Sequence, residues 1–448
     1  MATETLARQS AVARPATPRV ALLTIGCKLN QAESEALAAE LADAGCRVTD
    51  RAEAADLYII NTCAVTHVAE RKARHLVRLA RRLSPQARIL VTGCYAETAA
   101  ADVIAGLGAD IVLPNQEKGR AAALILQAAG WERSDPTPQP MTRLRTRAFV
   151  KIQQGCSDVC AFCVVPRIRG PEQSLPAAAI LRAIQPLEAE GVQEVVLTGT
   201  QLGAYGRDRP GGEDLVTLLR RLLKETAIPR LRLSSLQPQD ITPALLDLWQ
   251  DRRLCPHFHI ALQSGSDSVL ARMRRRYTTH EFRDALAAVR SRLPNVAITT
   301  DLLVGFPGET EEDYLASERF CREAAFAAVH VFPFSARPGT LAARLPGQVA
   351  APLKRERVQT ALALAAELRG RFLDRFQGEV MTVLCETSTR DKQGGGPVWE
   401  ALTGNYIRVL VPSDLPLENR LVSVRLRERS AEGYWGEIVQ PDQSGGQG

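Results

Sequence analysis

The segment RAFVKIQQGCSDVCAFC, residues 147–163, decides the architecture. It opens on a short apolar run of strand length, 148–152, and the loop that follows carries Cys156, Cys160 and Cys163 in the spacing C-x3-C-x2-C. Three thiolates this close on one loop can wrap a single metal centre, and sulfur donors favour zinc or an iron-sulfur cluster. A four-ligand zinc site would need a distant partner, because the next cysteine is Cys255. A cubane cluster held by three thiolates instead leaves one iron open to a substrate or cofactor.

Downstream of this loop, strand-length apolar runs recur at 194–198, 230–234, 258–262, 297–304 and 329–333, with helical segments in each gap. Six β/α units fall short of the eight of a closed barrel, which predicts a central, partial (β/α)6 barrel over 142–376, ended by a helix at 352–376. Upstream, runs at 20–26, 57–61 and 89–92 alternate with helical stretches at 33–44 and 69–83. That βαβαβ order predicts an N-terminal open parallel sheet over 19–130 and makes the whole chain α/β in class. The Pro-rich, polar WERSDPTPQP reads as a linker over 131–141. From 377 to 441 the pattern shortens to strands at 378–385, 406–411, 421–426 and 434–439, a small all-β, OB-like barrel. Residues 1–18 read as a flexible N-terminus and 442–448 as a disordered tail.

A second set of cysteines is spread out. Cys27, Cys63 and Cys94 each follow a strand, in ALLTIGC, YIINTC and ILVTGC. Carboxyl ends of successive strands in an open parallel sheet meet along one edge, where ligands bind, so these thiols converge in space. Cys46, Cys255, Cys321 and Cys385 have no such placement and read as small buried apolar groups. The run CPHFH (Cys255, His257, His259) is a possible zinc ligand set, but the alternation fits a strand with both histidines on one face.

With 448 residues, 45% hydrophobic and 24% charged, the chain can bury several cores, which excludes disorder and a small stapled scaffold. Ten cysteines in a chain of this kind point to metal or catalysis in a reducing, cytosolic setting rather than to disulfides. No run of 18 apolar residues occurs, and Glu4, Arg8, Arg14 and Arg19 come without an apolar segment, so neither a membrane span nor a secretory signal is predicted. The net charge of +6 is mild and permits a nucleic-acid partner without demanding one. Ser/His/Asp triads, a Walker phosphate loop and paired glycosidase-like carboxylates find no support.

Taken together, CSDVCAFC, GCKLNQAES, NTCAVTHVAERKAR, TGCYAE, LTGTQLGAYG, HIALQSGSDSVLARMRRRYT, DLLVGFPGET and HVFPFSARPGT resemble the radical S-adenosylmethionine (SAM) methylthiotransferase family. The C-terminal module around GNYIRVLV resembles a TRAM domain. GCKLNQ and THVAERK bring the chain nearest the group that methylthiolates N6-threonylcarbamoyladenosine (t6A) beside the tRNA anticodon. The isopentenyladenosine tRNA enzymes and the ribosomal-protein enzymes of the family carry other residues there. They remain alternative readings, as does an iron-sulfur RNA-binding scaffold without catalysis.

The resemblance implies two 4Fe-4S clusters and SAM as cofactors. Cys156, Cys160 and Cys163 would hold the cluster that chelates SAM and cleaves it to a 5′-deoxyadenosyl radical, which takes hydrogen from carbon 2 of the adenine. Cys27, Cys63 and Cys94 would hold the cluster that carries the sulfur, and a second SAM would supply the methyl group. Phe162, Gly199 and Leu303 match SAM-contacting positions, and Ser234, Ser235 and Gln263 sit at strand ends where a barrel displays its polar groups. Where related tRNA enzymes often show Ser-Ser-Ile-Glu-Pro, this chain has Ser235-Leu236-Gln237-Pro238, which puts any carboxylate role at 237 in doubt. The implied partners are tRNA and a flavodoxin- or ferredoxin-like electron donor, in the cytoplasm. For RNA the basic candidates are Arg143, Arg145 and Arg147, the run with Arg272, Arg274 and Arg275, and Arg425, Arg427 and Arg429, with Tyr406 as a stacking group in the β module.

Overall fold

A computed structural model describes residues 17–64, 67–99, 106, 108–131, 144–390, 396–430 and 432–439. The expectations for 1–16, for Arg143, for 132–141 of the linker and for the 442–448 tail lie outside the described residues. The described residues pack as two units. One holds those up to 144 with 155–157 and 164–171; the other holds 145–154, 158–163 and those from 172 onward.

In the first unit the order is β1 (Arg19–Thr24), α1 (Lys28–Asp43), β2 (Arg47–Thr49), β3 (Leu57–Thr62), α2 (His67–Leu83), β4 (Arg88–Gly93), α3 (Cys94–Thr98) and β5 (Ile111–Leu113). The strands form one parallel sheet in the order β2-β1-β3-β4-β5. Its strands run apolar without a break because both faces are covered. Val20 and Leu22 pack on one side with Leu37, Leu41 and Ile125, while Ala21 and Leu23 pack on the other with Val77 and Ala80. The edge strands β2 and β5 escape a reading by periodicity because each is three residues long. Trp131, read as the head of a linker, is buried in this core against the helix Ala121–Ala129.

The second unit begins with β6 (Ala148–Lys151) and a small antiparallel ladder of β7 (Gln153–Gln154) and β8 (Gln173–Ser174). Then come β9 (Glu194–Thr198), β10 (Arg230–Leu233), β11 (Ser235–Leu236), β12 (His257–Ile260), β13 (Ala297–Val304) and β14 (Ala328–Pro333). They form two parallel sheets, β10-β9-β6 and β11-β12-β13-β14, that meet where Ser234 separates β10 from β11. The result is the six-stranded partial barrel expected from the alternation. Helices Ala177–Ala189, Leu215–Glu225, Thr279–Arg292 and Glu311–Ala324 bury Ile180, Leu218, Phe282 and Phe320 against it.

The C-terminal module is a closed barrel, β15-β16-β17-β19-β18. Its strands are Val380–Arg390, Pro397–Thr403, Arg408–Pro412, Leu421–Arg429 and Gly433–Ile438, five where the pattern predicts four. The missed strand starts at a proline preceded by Gly394-Gly395-Gly396, a signature of loops rather than strands. The module packs as part of the second unit, its core continuous with Phe372, Leu373 and Phe376 at the end of the helix Ala351–Asp374. Arg230 donates to the carbonyls of Leu402 (3.0 Å) and Thr382 (2.6 Å), and buried Arg232 bonds Glu194 (2.7 Å) and the Gly404 carbonyl (2.8 Å). Among the described residues no helix is long and apolar enough to cross a membrane.

Candidate functional site

The first-unit triad is built by the sheet itself. β1, β3 and β4 are neighbours, and Cys27 follows β1 after Ile25 and Gly26, Cys63 follows β3 directly, and Cys94 opens α3 directly after β4. Two of the three cysteines need the glycine before them. Gly26 has φ +120°, and a Cβ there would stand 2.9 Å from the Cβ of Cys63. Gly93 has φ +94°, and a Cβ there would stand 2.4 Å from the carbonyl oxygen of Thr62. The strand ends approach too closely for any side chain, which brings the cysteines near one another. Cys63 and Cys94 are buried and Cys27 is exposed at the N-cap of α1.

Behind these cysteines lies a buried polar network that composition and spacing do not reveal. Asn30 donates to the carbonyls of Ile25 and Thr62, both at 2.9 Å, tying the ends of β1 and β3 together. Asn61 donates to the Asn30 carbonyl (2.9 Å) and to Ser34 Oγ (3.0 Å). Arg169 donates to Glu33 Oε1 and to Asn30 Oδ1, each at 2.6 Å, and Lys118 Nζ reaches Glu33 Oε2 at 2.5 Å. Burial opposes the charge on Glu33, yet Lys118 and Arg169 win and hold its carboxyl at about 2. Burial pushes the Cys94 thiol up, against the opposing pull of Arg169 and Lys118. Burial works against the Lys118 ammonium, which Glu33 supports, while Arg169 keeps its charge, so positive charge stands beside the triad and suits an anionic sulfur centre. The signal that could have found it is a polar stripe, Asn30, Glu33 and Ser34, on the same side of α1 as buried Leu37 and Leu41.

The second cysteine loop contributes Cys156 to the first unit and Cys160 and Cys163 to the second. Cys156 is buried and its N–H donates to the Gly170 carbonyl at 3.1 Å. Cys163 N–H donates to the Cys160 carbonyl (3.1 Å), closing a turn, and Ala161 N–H is held by the Met273 carbonyl (2.9 Å). Arg275 Nη1 lies 3.3 Å from Cys160 Sγ, and the same guanidinium bonds Tyr277 Oη (3.0 Å) and Gln237 Oε1 (3.2 Å). Burial works against the Arg275 charge, but Tyr277 and Cys160 hold it above its ordinary value. Gln237 also donates to Asp158 Oδ2 (3.1 Å), which Arg276 pairs at 2.9 Å. Gln237 therefore accepts on one side and donates on the other. A carboxylate could not donate to Asp158, which is the reason an amide suits position 237.

The residues matched to SAM lie in the second unit. Phe162 and Leu303 share one apolar cluster, with Phe162 edge-on to Phe306 at 6.4 Å between ring centres. Gly199 lies close to Gln153, whose side-chain oxygen would be 2.9 Å from any Cβ there. Ser234 is buried between β10 and β11 with its hydroxyl unpartnered, as is the hydroxyl of Thr200 beyond β9. Buried hydroxyls without a partner are costly unless a ligand completes them, so this barrel end fits a polar ligand. Ser235 opens β11 opposite His259, and Gln263 is held at φ +67° by backbone bonds to Asp301 and Leu303 of β13.

Among the described residues no three His, Cys, Asp or Glu side chains close on a single ion. A cubane takes each thiolate on a different iron and accepts wider-set sulfurs, so the donor chemistry of both triads fits a cluster better than zinc. His257 and His259 are not zinc ligands with Cys255. Both meet Thr299 Oγ1, at 3.2 and 3.1 Å, and burial raises the Cys255 thiol to about 11. Cys46, Cys321 and Cys385 are likewise buried.

Most of the residues expected to contact RNA are engaged within the protein. Tyr406 is wedged against Arg232 (4.3 Å to the ring centre) and His257 (4.5 Å between rings), with its hydroxyl on Arg147 (3.1 Å). Its ring is spent on seating the small barrel. Arg275 is absorbed by the cysteine loop, and Arg272 bonds the Gly308 carbonyl (3.0 Å) and Asp313 (3.3 Å). Arg425 bonds the Gly378 carbonyl (3.1 Å), Arg427 pairs with Glu437 (2.6 Å) and Arg429 with Asp374. Arg274 is exposed, as is Arg145.

Comparison with known proteins places these features. Residues 19–114 match uncharacterized protein family UPF0004, and residues 150–321 match the Radical SAM superfamily. The chain is 35% identical over 438 residues to the threonylcarbamoyladenosine tRNA methylthiotransferase MtaB of Bacillus subtilis, covering 94% of this chain and 96% of that one. It is 32% identical over 438 residues to the tRNA-2-methylthio-N(6)-dimethylallyladenosine synthase of Syntrophotalea carbinolica, covering 93% and 99%. Among solved structures it resembles the radical S-adenosylmethionine methyltransferase TsrM of Kitasatospora setae, determined with cobalamin and a [4Fe-4S] cluster bound. That likeness has a TM-score of 0.55 and 14% identity over 73% of this chain and 77% of that one.

Proposed function

This chain belongs to the radical SAM methylthiotransferases that act on threonylcarbamoyladenosine of tRNA, and on that premise we propose how its own residues divide the work. The enzyme places a methylthio group on carbon 2 of t6A beside the anticodon. SAM and a [4Fe-4S] cluster come with the radical SAM domain. Cys156, Cys160 and Cys163 hold that cluster; Cys27, Cys63 and Cys94 hold a second one. The observation that carries the assignment is that two separate cysteine triads stand at strand ends, one of them on three adjacent strands of one sheet.

Bound there, a cluster with an open iron and SAM supplies radical chemistry at a C–H bond that no side-chain base could usefully deprotonate. The protein orients and shields. Arg275 and Gln237 fix the loop of Cys160, Phe162 and Leu303 offer the adenine of SAM an apolar flank, and the hydroxyls of Ser234 and Thr200 offer it polar partners. In the first unit Arg169 and Lys118 set positive charge behind the sulfur-carrying triad. We assign 19–130 to the sulfur-carrying domain, 142–376 to the radical core and 377–441 to a TRAM-type module, with tRNA and a flavodoxin- or ferredoxin-like electron donor as cytoplasmic partners.

The test is mass spectrometry of tRNA nucleosides and ribosomal proteins from a strain lacking this chain. Methylthio-t6A disappears and returns with the wild-type copy, while methylthio-isopentenyladenosine and the ribosomal proteins stay unchanged. A strain that keeps its full methylthio-t6A contradicts the assignment.

A further inference from the structure

Helix α2 (His67–Leu83) carries Arg71, Lys72, Arg74, His75, Arg78, Arg81 and Arg82 against a single acid, Glu70. Val77 and Ala80 are buried in the core beneath the sheet, Ala73 is buried with Cys94 and Tyr95, and Arg71, Lys72, His75, Arg78 and Arg82 are exposed. Arg71, His75, Arg78 and Arg82, three or four residues apart, share one face, and Lys72 lies at its edge. From Arg71 to Arg82 that face runs about 16 Å along the axis. Beside it lies a groove of about 580 Å³ lined by His75, Val77, Arg78, Arg81, Arg82 and Gly108. Arg81 braces the groove wall, donating to the Gly108 carbonyl (3.0 Å) and pairing with Asp110 (2.8 Å).

What sets this face apart is the number of basic residues on one helix. Some exposed arginines elsewhere pair with carboxylates: Arg221 with Glu225 at 2.7 Å, Arg322 and Arg371 with Glu367 at 2.6 and 2.7 Å, and Arg408 with Glu432 at 2.6 Å. Arg71, Lys72, Arg78 and Arg82 pair with no carboxylate among the described residues. Four like charges in three helical turns repel one another in the free protein, and the repulsion is relieved only by an external anion. A row of guanidinium groups on one straight face fits a polyanion with evenly spaced charges, and arginine matches phosphate oxygens bidentately.

We propose that this face of α2 is an RNA-contact surface that grips the phosphate backbone of the tRNA substrate independently of base sequence. The proposal rests on the tRNA reading above and adds a second contact to the small C-terminal barrel. It also explains how the enzyme holds a large substrate when Tyr406, Arg275 and Arg427 are engaged within the protein.

The experiment uses the full-length, cluster-loaded enzyme with Arg71, Arg78 and Arg82 changed together to Gln, and in a second variant to Lys. Affinity for t6A-containing tRNA is measured as a function of salt. The Gln variant loses affinity, its log–log salt slope shrinks by about 2 to 3, and KM for tRNA rises while kcat holds. The Lys variant keeps the wild-type slope. SAM cleavage without tRNA is unchanged in both, which shows that they are folded and loaded. Wild-type affinity and slope in the Gln variant overturn the proposal, and so does a defect confined to reduction by an acidic electron-donor protein, which would make the face a docking site for that partner. A wild-type enzyme that itself neither binds nor modifies tRNA overturns the functional reading, and this surface with it.

Discussion

Arg169 Nη1 stands 2.6 Å from Glu33 Oε1, and both side chains are almost wholly buried, at 4% and 5% exposure. The pair joins the short helix Val165–Arg169 to α1, directly behind the Cys27, Cys63 and Cys94 triad. Removing one partner leaves an uncompensated buried charge. Arg169→Ala should cost about 3–5 kcal/mol, read as a fall in the urea midpoint of the cluster-free chain, and iron retained by the Cys27 triad should fall with it. A variant as stable as wild type would mean the pair is not formed in solution.

Glu33 also gives the fold a defined acid sensitivity. Its folded carboxyl sits at about 2 and its ordinary value is 4.5. A depressed pKa means the unfolded state binds the proton more readily, so the contribution is complete above about 4.5 and is lost as pH falls toward 2. Urea titrations of the cluster-free chain across that window should show a drop in wild type that is smaller in Glu33→Gln. Parallel curves would remove Glu33 as its source.

Gly93→Ala tests the close approach that sets Cys94. The new methyl would meet the Thr62 carbonyl at 2.4 Å on a left-handed residue, so strand β4 must move. A loss of about 1–3 kcal/mol follows from the backbone alone. Iron bound at the first-unit triad should fall, while SAM cleavage at the other is retained. Unchanged iron content would show that the sheet edge tolerates the shift.

Gln237→Glu replaces a group that donates to Asp158 by one that repels it. Losing a hydrogen bond to a buried charge costs about 1–3 kcal/mol, roughly a ten- to hundredfold fall in the rate of SAM cleavage at fixed SAM. The introduced carboxylate retains the acceptor for Arg275, so Gln237→Ala should be worse. Wild-type cleavage by Gln237→Glu would show that the amide is interchangeable with a carboxylate.

Much of the site was legible because cysteine is chemically conspicuous. Cys156, Cys160 and Cys163 announce themselves by spacing, and Cys27, Cys63 and Cys94 by each following a strand. The six barrel strands were legible for a related reason, since fully buried parallel strands are continuous apolar runs. What escaped was polar and local. β2 and β5 are too short to show a period, Pro397 and three glycines hid a strand, and Glu33, Lys118 and Arg169 come together from positions far apart in the chain. At Tyr406 and Arg275 a positive charge or an aromatic ring in a sequence does not reveal that the protein's own rings and thiols already engage it.

The central claim is two clusters on two triads, and iron counting tests it most directly. Anaerobically purified and reconstituted wild-type chain should hold about eight iron atoms, as two cubanes require. The triple variants Cys27→Ala/Cys63→Ala/Cys94→Ala and Cys156→Ala/Cys160→Ala/Cys163→Ala should each hold about four. Wild-type protein that binds about four iron atoms, with no loss on removing Cys27, Cys63 and Cys94, would contradict the account.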